Sequence, residues 1–211
     1  MSQQTALPFA PRVHGEAPYR PSPRQTEVGD ALTRQAEALL RAPGGLTTLV
    51  LHGPEGAGKT RLLFELFGAR PELPVEVLDV AEVGPMDLFA EINRSAAVRQ
   101  VLVLEARIAP QRWYREAENV PPDLLSRLHA SPQFHLDRPG ADALFAVLCA
   151  DLSLHGHKLN DAEARMVADR LPRHFGAPRA FCRALDRAGR QPSRRALLNW
   201  ALERVHVAPK D

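Results

Sequence analysis

Residues 53–60 read Gly-Pro-Glu-Gly-Ala-Gly-Lys-Thr, and they constrain the fold more than any other part of the chain. Gly53, Pro54, Glu55, Gly56, Ala57, Gly58, Lys59 and Thr60 satisfy G-x-x-x-x-G-K-[ST] at every fixed position. The pattern has separable physical causes. Glycines reach backbone angles closed to other residues and let main-chain amides approach a phosphate. Those amides and the start of a following helix form a nest of positive partial charge. Lys59 then reaches the β- and γ-phosphates, and Thr60 sets its hydroxyl on Mg²⁺. Such a loop needs a buried strand before it and a helix after it. Residues 46–51 (LTTLVL) and 61–67 (RLLFELF) supply both.

The rest of the pattern extends this unit. Helical spacing of Val28, Leu32, Ala36, Leu39 and Leu40 predicts a helix over residues 23–41. Residues 75–80 (VEVLDV) read as a second strand, 101–104 as a third and 134–136 as a fourth. Residues 86–97 and 121–129 read as helices between them. A P-loop fold places an acid at the end of a neighbouring strand, for the metal and the attacking water. Asp79 ends VEVLD and is the candidate to hold Mg²⁺ beside Thr60. Val80 stands where active ATPases place a second acid, and Glu82 lies two residues further on. Nucleotide binding with weak or absent intrinsic hydrolysis is therefore expected.

After Pro139 the strands stop. Helical patterns cover about 140–154, 160–171, 177–188 and 192–206, with helix starts marked at Asn160 and at Ser193 after Pro192. Strands alternating with helices, then helices alone, imply a parallel α/β core with a helical lid. The expected division is an extended tail at 1–22, rich in proline, a core at 23–138 and a lid at 139–211.

Composition narrows the function classes. Basic residues number 27 and acidic residues 25, so the net charge of +2 implies no wholesale attraction to nucleic acid or membrane. Cys149 and Cys182 are too few for a disulfide scaffold and match no metal spacing. No apolar run is long enough to cross a membrane, and the first twenty residues carry no signal core. A cytoplasmic protein is expected. No Ser/His/Asp or Cys/His nucleophile pattern occurs. His52, before the loop, reads as a packed residue, and His155 and His157 as solvated turn residues. Trp113 and Tyr114 read as packing rather than as a stacking surface for bases.

These segments resemble the DnaA-related branch of the AAA+ proteins, and within it the short regulators of replication initiation. Beside the phosphate loop, residues 78–82 (LDVAE) are similar to the family's metal-binding acidic strand end. Residues 102–113 (LVLEARIAPQRW) look like its sensor-1 strand, and 122–128 (PDLLSRL) match its P-D-L-x-S-R-L closely. Residues 19–23 (YRPSP) stand, with a weaker match, before the first helix. The resemblance implies an AAA+ core binding ADP or ATP with Mg²⁺. It also implies that Arg127 is an arginine finger offered to nucleotide on a neighbouring subunit, where a fixed guanidinium stabilises charge building on the γ-phosphoryl. Arg179 is the candidate to face the nucleotide from the lid, near the family's sensor-2 position at Gly176.

Departures from the family carry their own expectations. Only nineteen residues, 60–78, separate Lys59 from Asp79, so the sheet should lack one strand and have four. Glu105 and Ala106 replace the small polar residues of sensor 1, which argues against γ-phosphate sensing. No helix-turn-helix module follows the last helical pattern, so direct reading of origin DNA is not expected. The tail residues Gln4, Leu7, Pro8 and Phe9 resemble a sliding-clamp-binding peptide, with Thr5 departing from the usual leucine. A proline-stiffened segment sets Leu7 and Phe9 into an apolar pocket while Gln4 bonds at its rim. The partners implied are DnaA and the β subunit of the DNA polymerase III sliding clamp. DNA is met only through the clamp, no membrane is involved, and a homodimer is compatible. Three alternatives stay open: a self-contained P-loop ATPase or small-molecule kinase, a DnaA-like adaptor or loader acting on another partner, and a pure binding adaptor with a vestigial nucleotide site.

Overall fold

The computed structural model describes residues 19–207, except 43, 44, 46, 69, 82, 115, 116, 118 and 190–192, with backbone alone at 206 and 207. The chain divides into two compact units, whose described parts fall within Pro23–Asp137 and Arg138–Asp211 apart from a short leading segment.

The first unit opens with α1 (Pro23–Arg41), which buries Val28, Leu32 and Ala36 at four-residue spacing along one face. Then follow β1 (Thr48–His52), α2 (Lys59–Phe67), β2 (Val75–Asp79) and α3 (Pro85–Ala97). β3 (Val101–Ala106), α4 (Pro122–Ala130) and β4 (Gln133–His135) complete it, with one 3₁₀ turn at Pro110–Arg112. Among the described residues the strands form one sheet in the order β2-β3-β1-β4. Every neighbouring pair is parallel. Parallel neighbours need crossover connections, and the helices between the strands are those crossovers. The short link from α2 to β2 leaves no room for a fifth strand, as the spacing from Lys59 to Asp79 implies.

Register decides what meets at the carboxyl ends of the strands. β3 pairs with β1 up to His52↔Ala106 and with β2 up to Asp79↔Glu105. These ends therefore lie level, side by side. β3 runs two residues beyond the apolar run 101–104, and all six of its residues are buried, Glu105 included. Leu102 and Leu104 pack with Val50 of β1, Leu88 and Ile92 of α3 and Leu124 and Leu128 of α4. Alternation along the strand turns Val101, Val103 and Glu105 to the opposite face. There α1 lies against α2, β3 and β4.

The second unit holds α5 (Ala141–Leu154), α6 (Asp161–Arg170), α7 (Ala177–Asp186) and α8 (Arg194–Val207). Leu144, Leu148, Val167, Phe181, Leu198 and Leu202 form the centre of its core. α6 starts with a full capping box. Asn160 Oδ1 accepts from the Glu163 amide at 2.8 Å, and Glu163 Oε2 accepts from the Asn160 amide at 3.0 Å. At the α8 start the Ser193 hydroxyl accepts from the Ala196 amide at 3.1 Å. Cys182 is buried, which pushes its thiol up to about 12. Cys149 is half-buried, and both cysteines are free. Among the described residues no helix is long and apolar enough to cross a membrane.

Candidate functional site

The loop at 53–58 leaves the end of β1 and turns into α2. Gly53, Gly56 and Gly58 take φ angles of 152°, 78° and 82°, all in the region that disfavours side chains. Gly53 also meets a close neighbour. A Cβ there would lie 2.0 Å from the Leu136 carbonyl oxygen, beyond the end of β4. The Gly53 amide meanwhile donates to the Ala106 carbonyl at 3.2 Å. The loop is thus pinned between the ends of β3 and β4. Gly53→Ala is expected to destabilise the chain by about 2 kcal/mol or more, since it combines strain with overpacking. Urea unfolding of the variant measures this, and an unchanged midpoint would contradict the close approach.

Lys59 begins α2 and is buried, with 6% of its surface exposed. Its Nζ donates to the carbonyls of Gly53 at 2.9 Å and Pro54 at 3.3 Å, folding the side chain back over the loop. The Thr60 hydroxyl donates to Glu105 Oε1 at 2.7 Å. Lys59 Nζ stands 3.9 Å from the same oxygen. Burial lowers the Lys59 pKa, against the pull of Glu105 and Asp79. Burial likewise raises that of Glu105, against the Thr60 hydrogen bond and the Lys59 charge. Desolvation outweighs attraction on both partners, so both lie nearer neutrality than in water. Glu105 Oε2 is buried and has no hydrogen-bond partner among the described residues.

Asp79 is exposed and lies one strand further out, opposite Glu105 in register. Its Oδ1 accepts from the Ala81 amide at 3.0 Å. Both acids lie close enough to act on the Lys59 charge. The acid in contact with Thr60 is therefore Glu105. The sequence reading took Glu105 only as a replacement for a small polar residue of sensor 1. Its register position beside the loop strand, set by pairing with β1, is what brings it to Thr60.

Other candidate residues take separate places. His52 Nδ1 lies 3.2 Å from His135 Nδ1, and His135 Nε2 lies 2.9 Å from Asp137 Oδ1. Burial, then His135 and Lys59, lower the pKa of His52. Trp113 is buried and donates from Nε1 to the Ile108 carbonyl at 2.9 Å. The Tyr114 hydroxyl donates to the Val83 carbonyl at 2.7 Å, and burial pushes it up to about 12. Both are packing residues, as read. His155 and His157 are not simply solvated: Asp186 bridges them at 2.7 and 2.8 Å.

Arg127 sits on α4. Its Nη1 donates to Asn93 Oδ1 at 2.8 Å, and its guanidinium lies over the Phe89 ring at 5.3 Å. It lines a cavity of 270 Å³ with Gly45, Thr47, Ile92 and Ala96. Gly45 and Thr47 precede β1, whereas the phosphate loop follows it. Five strand residues, about 16 Å, separate the two ends. Arg179 lies in the first turn of α7, in the second unit. Gln4, Leu7, Pro8, Phe9 and Glu82 fall outside the described residues.

No family model and no curated protein matches this chain. Solved structures do share its fold. Domain III of the Thermotoga maritima replication initiation protein DnaA matches with a TM-score of 0.63 at 14% identity, over 89% of this chain and 95% of that one. AMPPCP-bound DnaA from Aquifex aeolicus matches with a TM-score of 0.59 at 11% identity, over 81% of this chain and 64% of that one. Cdc6p from Pyrobaculum aerophilum matches with a TM-score of 0.57 at 14% identity, over 85% and 63%. This chain thus spans less than two thirds of the latter two. At these identities the likeness establishes the fold alone: a parallel α/β core of the kind these structures share.

Proposed function

We propose that this chain is a regulator of replication initiation of the kind represented by Hda. In this reading residues 53–60 hold ADP or ATP with Mg²⁺. Gln4, Leu7, Pro8 and Phe9 dock on the sliding clamp, and Arg127 is presented to ATP bound on DnaA. DnaA's own site then hydrolyses that ATP. The observation that carries the reading is the placement of Arg127 at the opposite end of β1 from this chain's own phosphate loop. A guanidinium there is remote from its own nucleotide and available to another chain's. The fold shared with DnaA domain III supports a partner of the same architecture. The AMPPCP bound to the Aquifex DnaA supports an adenine nucleotide in the loop.

The test is phosphate release from ATP-loaded DnaA, with this protein, a DNA-loaded clamp and ADP, each component omitted in turn. Release that requires all of them is the expected result. No stimulation by the complete mixture would overturn the regulatory role.

A second reading, a self-contained ATPase, is favoured by one observation: a buried carboxylate touches Thr60. In the same assay it predicts phosphate release from ATP by this chain alone.

A further inference from the structure

We infer that Glu105, rather than Asp79, is the carboxylate that joins Thr60 in holding the nucleotide's Mg²⁺. The inference rests on the reading of residues 53–60 as a nucleotide site. P-loop proteins hold the metal between the loop's Ser or Thr hydroxyl and a strand-end carboxylate. In this chain that pairing is made at 2.7 Å by Thr60 and Glu105.

The topology permits this. β3 is the direct neighbour of β1, while β2 is two strands away. One strand spacing is about 4.8 Å and two are about 9.6 Å, so a carboxylate on β3 starts nearer the loop. β3 also continues to Ala106, which carries Glu105 level with Leu51 of β1. Alternation then turns its side chain to the face that bears α2 and Thr60.

The state of the two oxygens points the same way. Oε1 is engaged by Thr60, with Lys59 Nζ at 3.9 Å. Oε2 is buried without a hydrogen-bond partner among the described residues, on a residue with 6% of its surface exposed. Buried carboxylate oxygens without partners are costly and uncommon. Lys59 Nζ donates to Gly53 and Pro54 and approaches the other oxygen, Oε1, rather than this one. A hard divalent cation bound by oxygen supplies the missing partner. Asp79, in contrast, is exposed and commits Oδ1 to the turn at Ala81.

The experiment measures binding of a fluorescent ADP analogue in Mg²⁺ and in EDTA, for the full chain, Glu105→Gln and Asp79→Asn. Electron paramagnetic resonance of Mn²⁺ with ADP reads metal retention directly. Glutamine keeps an oxygen for the Thr60 hydroxyl, so the fold is retained, which the thermal midpoint checks. Mg²⁺ is expected to tighten wild-type binding at least tenfold. Glu105→Gln should lose that gain and the bound Mn²⁺, so that its affinity is the same in Mg²⁺ and in EDTA. Asp79→Asn should keep most of both. The proposal is overturned if Glu105→Gln retains the Mg²⁺ gain, or if Asp79→Asn alone abolishes it. Tight wild-type binding that ignores Mg²⁺ also overturns it and leaves the nucleotide reading standing. A wild-type chain that binds no ADP in either condition overturns both.

Discussion

Lys59→Ala is expected to weaken nucleotide binding by about a hundredfold or more while the chain stays folded. The ammonium is buried at the start of α2 and faces the loop carbonyls with Glu105 at 3.9 Å, and an anionic ligand adds a further large compensation for its burial. Removing one member of a buried, hydrogen-bonded charge pair costs about 2–5 kcal/mol, and each 1.4 kcal/mol is about tenfold in affinity. Stability should move far less. Burial already depresses the Lys59 pKa, so the variant is relieved of a desolvated charge as it loses two hydrogen bonds. Glu105 loses a counter-charge but keeps the Thr60 hydroxyl. Equilibrium dialysis with labelled ADP and thermal unfolding on the same samples separate the two effects. Wild-type affinity in the variant would mean that the nucleotide lies elsewhere.

Features of this molecule encoded locally were legible from its residues, and those set by distant partners were not. The P-loop, the helix start at Asn160 and the four-strand count each rest on residues close together in the chain. The Asn160 capping box closes within four residues, so its chemistry and its spacing are visible at once. Glu105 is the opposite case. Hydrophobic periodicity ends β3 at Leu104, but pairing with β1 on one side and β2 on the other carries the strand to Ala106. A charged residue after an apolar run reads as leaving the core, and here register holds it inside. The same holds at Gly53, whose need for glycine comes from Leu136, 83 residues later. It holds again for Asp186, which is 31 and 29 residues from the two histidines it bridges. Arg127 was legible as a candidate finger, but its resting contacts on α3 were not.

Those resting contacts shape the second large effect. On the proposed regulatory reading, Arg127→Ala is expected to lower the stimulated hydrolysis of DnaA-bound ATP by about a thousandfold or more, since an arginine finger contributes roughly 10³–10⁵ in kcat. ADP binding by the variant should be unchanged, because the side chain lines a cavity at the far end of β1 from the loop. Little stability is at stake. One hydrogen bond to Asn93 and one stacking contact with Phe89 amount to about 1–2 kcal/mol in this partly exposed setting. On the same reading, the guanidinium leaves both contacts to reach a partner's γ-phosphate. Asn93→Ala therefore removes a competitor for the finger and should leave stimulation intact or raise it. Arg127→Lys should behave nearly like alanine, because a compact ammonium cannot reproduce the planar fork. Single-turnover phosphate release from DnaA, with the clamp and ADP held constant, measures all three variants. An Arg127→Ala protein that still stimulates at the wild-type rate would remove the finger. It would reduce Arg127 to a residue that fastens α4 to α3.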